Sequence, residues 1–132
     1  MVQRYLNLMC MTKLTLLQVK RESTWVLSNA VNHGSPEQIR FLADNQVIDT
    51  MVKHLDKEED PKLLTVALEC IFKILQHGVR YLEQYEANPF LNHLDSLGAT
   101  KLIEKLQEHK SDEVYKAAIS ILETFYDVND PL

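Results

Sequence analysis

A short apolar pattern with the spacing of one helix face occurs three times along the chain of 132 residues. Its apolar residues occupy the first, fourth, fifth and eighth positions, which lie together on one face of an α-helix. The three copies are Val2, Tyr5, Leu6 and Met9; Ile48, Met51, Val52 and Leu55; and Ala99, Leu102, Ile103 and Leu106. A longer amphipathic segment follows each copy. Recurrence of short and long helices at intervals of 46 and 51 residues predicts an all-α helical solenoid, in which each repeat buries its apolar face against the next.

Capping signals predict where the helices begin and end. A helix over 13–33 is expected to stop at Gly34, and Ser35, Pro36 and Gln38 form the N-cap, first-turn proline and capping box of the next. A further helix is predicted to begin at Asp60-Pro61 and to end near Gln76, and Asn88-Pro89 breaks the ambiguous stretch 79–97. The last two helices are predicted over 99–107 and, with Ser111 as its cap, over 112–126. We therefore predict a single domain over 1–127, divided into a partial repeat 1–33, a full repeat 35–78 and a last repeat 79–127, with a flexible tail 128–132.

Composition narrows the class of protein. The net charge of −5 disfavours nonspecific binding to nucleic acid and favours a basic partner. Cys10 and Cys70 are too few for a disulfide framework or a metal ligand set, so a reducing compartment is expected. The sequence lacks an apolar run of membrane-spanning length and the apolar core of a signal peptide. We expect a soluble intracellular protein without a cofactor or a metal site.

Trp25 and Asn29 form the most informative pair in the chain. They lie one helical turn apart, on the face that also carries Glu22, while Val19 and Val26 are assigned to the opposite, apolar face. Trp25 is the only tryptophan, and a large aromatic side chain among polar neighbours is typical of a contact position. The alternative is ordinary, since a helical tryptophan is usually a core residue and a mid-helix asparagine is usually solvated.

The string KRESTWVLSNAVNHGSPEQIRFLADNQVIDTMVKHL, with W-x-x-x-N at Trp25 and Asn29 and the G-S-P-E-Q-I turn after it, resembles an armadillo repeat of importin-α. The later stretch SLGATKLIEKLQEHKSDEVYKAAISILETFYD resembles the final repeat of that family. The resemblance covers about 20–127. It implies a right-handed armadillo-type helical solenoid of about three repeats, the first incomplete, and a protein of the cytoplasm and nucleus.

By resemblance, the long helices line a groove for basic nuclear localisation signals, and the stretch around Trp25 belongs to the minor site. The chemistry suits that role. An asparagine side chain such as Asn29 can both donate to and accept from a peptide backbone. An indole packs the stem of a lysine or arginine and favours its charge by about 0.5–2 kcal/mol. Glu22 supplies a carboxylate for the cationic head, and Ser28 is expected to add a lesser polar contact. Glu22 has an alternative role, in which it only pairs with a neighbouring basic side chain.

The other long helices depart from this pattern. Glu69 and Lys73 replace the Trp-Asn pair in the second, where we expect them to pair with each other, and Ser120 and Thr124 replace it in the third. One Trp-Asn pair predicts weak binding of a basic peptide, in the high-micromolar to millimolar range. Nothing before Val19 resembles the basic N-terminal arm of the family, so a protein consisting of 1–132 alone is not expected to be a complete import adaptor.

The resemblance also implies a C-terminal surface for the export receptor or a nucleoporin, to which we assign Tyr115, Glu123 and Tyr126. A different class of function stays open. In this alternative, the chain is a structural or assembly module that self-associates or docks on a larger protein through the incomplete first repeat, whose exposed inner face carries Tyr5, Leu6 and Met9, and the groove is vestigial. An enzyme is not expected, because the sequence lacks a phosphate loop and a nucleophile elbow.

Overall fold

The computed structural model describes residues 13–57, 60–85 and 87–126. Every regular element in these residues is helical. The helices are α1 (Lys13–His33), α2 (Pro36–Asp44), α3 (Val47–Lys57), α4 (Pro61–Gly78), α5 (Leu82–Tyr85), α6 (Pro89–Ser96), α7 (Ala99–Leu106) and α8 (Asp112–Ile121). A 3-10 turn (Val79–Tyr81) joins α4 to α5, and a π-helical turn (Leu122–Tyr126) extends α8. The repeated apolar pattern at 2–9 and the tail from 127 onward lie outside the described residues.

The predicted capping residues occupy the helix starts. The Ser35 hydroxyl accepts from the Gln38 amide at 3.2 Å, and the Gln38 side chain accepts from the Ser35 amide at 2.9 Å, which completes the capping box. The carboxylate of Asp60 accepts from the Lys62 amide at 3.0 Å at the start of α4. Asn88 caps α6 and Ser111 caps α8 in the same way. The break at Asn88-Pro89 is therefore confirmed.

The long helices α1, α4 and α8 pack side by side with α4 in the middle. The short helices α3 and α7 pack against each other, and each also contacts the long helix that follows it. The buried apolar residues of α3 and α4 form the centre of the core: Ile48, Met51, Val52, Leu55, Leu64, Ala67, Leu68, Ile71, Ile74 and Leu75. The spacing of Ile48, Met51, Val52 and Leu55 predicted that these four share one face of a helix, and all four are buried. The order of two short helices and one long helix occurs twice, as α2-α3-α4 and α6-α7-α8, and the predicted helical solenoid is confirmed.

The helix predicted to end near Gln76, α4, extends two residues further. The helix runs through Gly78, and the chain continues in helical conformation to Tyr85. Gly78 has φ −67° and ψ −23°, so it is not a left-handed cap. The Asn88 carboxamide lies where the Cβ of any larger residue at position 78 would be. Gly78 therefore permits a close approach within the core, whereas Gly34 follows the last residue of α1 as expected.

The assignment of an apolar inner face to α1 is only partly correct. Val31 is buried and Leu27 packs against the core, but Val19 is 40% and Val26 is 65% exposed. None of the helices in the described ranges is both long and apolar enough to cross a membrane.

Candidate functional site

Trp25 and Asn29 are presented on the outer surface of α1. Trp25 is 52% exposed, so the alternative of a core tryptophan is excluded. Asn29 and Glu22 are exposed on the same helix. Glu22 accepts a hydrogen bond from the Gln18 side chain at 3.4 Å. Arg21, the adjacent basic residue, instead forms an ion pair with Asp60 at 3.0 Å. The Glu22 carboxylate is thus held in place by an amide and is not neutralised by Arg21.

Ser28 does not lie on this exposed surface. Its side chain is 5% exposed, on the buried side of α1 that also carries Thr24 and Val31. A direct peptide contact from Ser28 is therefore wrong in this arrangement, because one position along a helix rotates a side chain by about 100°. Thr24 is anchored there by a hydrogen bond of 2.9 Å between its hydroxyl and Nε2 of His54 on α3. The buried side of α1 therefore faces α3, and Trp25 lies on the exposed side.

The corresponding surface of α4 carries Glu69 and Lys73. The expected pair between them is wrong, because no ion pair joins these two side chains in the described structure. Lys73 lies instead near His77, one turn later. Burial lowers the pKa of His77, and the positive charges of Arg80 and Lys73 lower it further. Glu69 is exposed and keeps its carboxylate available for a cation from outside the chain.

A cavity of about 400 Å³ lies between α4 and α8. Leu68, Phe72 and Ala117 give it an apolar floor, and Glu69 and Glu113 place carboxylates at its edges. Its remaining lining residues are Thr65, Lys116 and Ser120. Only Glu69 and Ser120 were singled out from the sequence, as the counterparts of Trp25. The same alignment of the long helices is the signal that would have led to the cavity.

The C-terminal residues Tyr115, Glu123 and Tyr126 are not equally accessible. Tyr115 is 42% exposed and Glu123 is exposed. Tyr126 is half-buried and packs against the core; its hydroxyl donates to Asp95 at 2.9 Å and accepts from the Thr100 hydroxyl at 3.2 Å. Burial raises the pKa of Tyr126 to about 12, and the neighbouring Asp95 carboxylate adds to the increase. Tyr126 therefore ties the end of α8 to α6 and α7.

Metal and nucleophile chemistry has little support in the described ranges. Within them, no three histidine, cysteine, aspartate or glutamate side chains are grouped closely enough to hold a metal ion. Cys70 is fully buried, and burial raises the pKa of its thiol to about 12. It behaves as the small buried apolar residue that its position on α4 predicts.

Sequence comparisons agree with this architecture. Residues 88–131 match the model of the atypical Arm repeat. Importin subunit alpha-8 of Arabidopsis thaliana is 26% identical over 80% of the chain and 24% of its own length. Importin subunit alpha-5 of the same plant is 30% identical over 81% of the chain and 20% of its own length. Probable importin subunit alpha-A of Dictyostelium discoideum is 31% identical over 71% of the chain and 17% of its own length. The chain thus spans about a quarter or less of these relatives.

Proposed function

Because the chain is an armadillo-repeat protein related to the importin-α subunits, we propose that it is a peptide- and protein-binding module whose α1 surface binds basic nuclear localisation signals. The observation that carries the proposal is the exposure of Trp25 beside Asn29 and Glu22. The indole provides a face for the aliphatic stem of a lysine or arginine, the carboxamide pairs with the peptide backbone, and the carboxylate attracts the cationic head. The net charge of −5 favours the same partner. The proposal includes no catalytic activity, and it places the protein in the cytoplasm and nucleus.

A fluorescent basic peptide titrated into the wild type and into Trp25→Ala/Asn29→Ala tests this function. We expect a dissociation constant in the high-micromolar to millimolar range for the wild type. The double variant should bind about 5- to 30-fold more weakly, since a cation–π contact and a backbone hydrogen bond are each worth about 1 kcal/mol. Val26→Ala is the matched control, because Val26 is exposed on the same helix and its side chain is turned about 100° away from that of Trp25. Equal binding by the wild type and the double variant would refute the proposal.

We assign a second contact region to the C-terminal end, where Tyr115 and Glu123 are exposed within the stretch that matches the atypical Arm repeat. This region would contact an export receptor or a nucleoporin. Tyr126 is left out of it because its hydroxyl is bonded to Asp95. Tyr115→Ala/Glu123→Gln should weaken capture of a purified export receptor or nucleoporin segment and leave the basic peptide bound as before. Unchanged capture of both would remove this region from the proposal.

One observation favours the alternative function as an assembly module. Val19, Val26 and Ala30 of α1 are exposed. Their counterparts 44 positions later on α4, Leu63, Cys70 and Ile74, are buried, and α4 packs against α1. The exposed side of α1, with Phe41 of α2 at 65% exposure, therefore has the character of a repeat-packing surface. Its partner in this alternative is a second copy of the chain.

Sedimentation velocity distinguishes the two functions. A dimer that is indifferent to basic peptide and dissociates in Val26→Lys/Phe41→Lys supports the assembly function. A monomer that binds the peptide through Trp25 supports the first proposal.

A further inference from the structure

The cavity between α4 and α8 lies beside the proposed peptide path. Trp25 of α1 corresponds to Glu69 of α4 and to Ser120 of α8 in the alignment of the long helices, and both of these residues line the cavity. The three long helices pack side by side, so equivalent positions form a row across them. The cavity is therefore at the same level along the helix axes as the indole. It lies on the far side of α4 from α1, between α4 and α8.

The lining of the cavity matches one kind of side chain. Leu68, Phe72 and Ala117 are suited to an aliphatic stem, and they offer little to a polar one. Glu69 and Glu113 are exposed carboxylates at the edge, and neither forms an ion pair with another described side chain. The only basic lining residue, Lys116, forms an ion pair of 3.7 Å with Asp112, one turn earlier on α8. An apolar stem with a terminal positive charge uses both features of this arrangement, whereas a neutral side chain leaves the two carboxylates without a counter-charge and an acidic one is repelled by them.

We propose that this cavity, defined by Glu69, Phe72, Glu113 and Ala117, is a second subsite that takes a lysine side chain of the basic peptide bound at Trp25. The inference rests on the proposed function, and it replaces the expectation that only one pair of residues in this chain contacts the peptide. In the second subsite, carboxylates and an apolar floor do the work that the indole does in the first.

The geometry fixes the spacing of the peptide. Packed helix axes are about 8–10 Å apart, so a point midway between α4 and α8 is on the order of 12–15 Å from α1. An extended peptide advances about 3.3–3.6 Å per residue. The lysine that enters the cavity is therefore about four residues along the peptide from the basic residue that contacts Trp25.

Two synthetic peptides test the subsite. The short one carries a single Lys-Arg pair flanked by alanine and glycine, and the long one adds a lysine four residues away on both sides, which removes any dependence on peptide direction. We expect the long peptide to bind about 5-fold more tightly to the wild type. Glu69→Gln/Glu113→Gln should abolish this gain and leave the affinity for the short peptide unchanged. The matched control is Glu83→Gln/Glu104→Gln, which makes the same change of charge at exposed residues outside the cavity.

Replacing the added lysines by norleucine keeps the stem and removes the charge. This peptide should bind no more tightly than the short one. The subsite is refuted if the glutamine variant retains the 5-fold gain or if the norleucine peptide also shows it.

A separate measurement keeps the subsite distinct from the proposed function. N-acetyl-lysine methylamide is titrated to millimolar concentration into the 15N-labelled protein, and the amide signals of Phe72 and Ala117 are followed. Shifts that disappear in Glu69→Gln/Glu113→Gln support the subsite even if Trp25→Ala/Asn29→Ala leaves peptide binding unchanged. Absence of shifts in the wild type overturns the subsite, whatever the result at Trp25.

Discussion

The carboxamide of Asn88 lies directly against Gly78, and its amide donates to the carbonyl oxygen of Leu75 at 2.9 Å. The same side chain caps α6 by accepting from the Phe90 amide at 3.1 Å. Asn88 is 5% exposed, so this single residue joins the end of α4 to the start of α6 inside the protein. The contact is possible only because residue 78 has no Cβ.

Gly78→Ala should therefore destabilise the protein. At an unhindered helical position, the same change stabilises by up to about 1 kcal/mol. Here the added methyl group overlaps Asn88, and we expect a loss of about 1–3 kcal/mol in the free energy of unfolding. Urea denaturation measures it. In Gly78→Ala/Asn88→Ala the overlap is gone. The double variant should therefore lose less free energy of unfolding than the two single variants lose together. Strict additivity would contradict the contact.

Tyr126→Phe should remove a pH-dependent part of the stability. The hydroxyl donates to Asp95, and its loss costs about 0.5–1.5 kcal/mol near neutral pH. The pKa of Tyr126 is raised to about 12 from an ordinary value of 10.0. The unfolded chain therefore loses this proton first, and the stabilising contribution, complete below pH 10, is lost as the pH rises toward 12.

Urea midpoints measured from pH 8 to pH 11.5 test this direction. The difference in stability between the wild type and Tyr126→Phe should shrink as the pH rises, while the titration of the other tyrosines and the lysines cancels in the difference. Tyr115→Phe is the control, because Tyr115 is exposed and forms no hydrogen bond through its hydroxyl to a described residue. A difference that is constant or grows with pH would contradict the prediction.

Residues whose role depends on their near neighbours in sequence were predicted correctly. The capping box of Ser35 and Gln38 is closed by groups three positions apart, and the buried positions Ile48 and Met51 follow from helical spacing alone. The exposure of Trp25 belongs to the same group, because its polar neighbours on one helix face indicated it.

Residues whose role depends on contacts distant in sequence were not predicted correctly. The close packing at Gly78 was not predicted, because the residue that approaches it, Asn88, is ten positions away, across a stretch that the sequence left ambiguous. Val26 looked apolar and was placed inside, although nothing in the described structure covers it. The cavity at Phe72 and Glu113 depends on two helices from different repeats, and helical periodicity within either one does not reveal it.

Trp25, as the only tryptophan, makes the proposed peptide surface directly observable. With 52% of its surface exposed, its fluorescence in the native protein should be quenched readily by acrylamide. A saturating basic peptide should reduce the Stern–Volmer constant, because a lysine stem packed on the indole excludes the quencher. The same peptide with glutamate in place of lysine and arginine is the control and should give no protection. A native protein that resists acrylamide would show that the ring is covered.

Thr24→Val tests what holds α1 in its rotation. The Thr24 hydroxyl donates to the carbonyl oxygen of Lys20 at 2.7 Å, so its oxygen is left to accept from Nε2 of His54 at 2.9 Å. Both side chains are buried, at 2% and 6% exposure. Valine fills the same volume and cannot accept, which leaves the Nε2 proton without this acceptor, at a cost of about 1–3 kcal/mol. Thr24→Ser keeps the hydroxyl and loses one methyl group, which costs about 1 kcal/mol.

The two variants together separate packing from hydrogen bonding. If Thr24→Val unfolds at a lower urea concentration than Thr24→Ser, the buried hydrogen bond to α3 stabilises the orientation of α1. The valine variant should then also bind the basic peptide more weakly, because a rotated α1 moves Trp25 and Asn29 away from the surface that they share. A valine variant at least as stable as the serine variant would show that side-chain volume alone seats α1, and that the polar contact with His54 does not determine where Trp25 points.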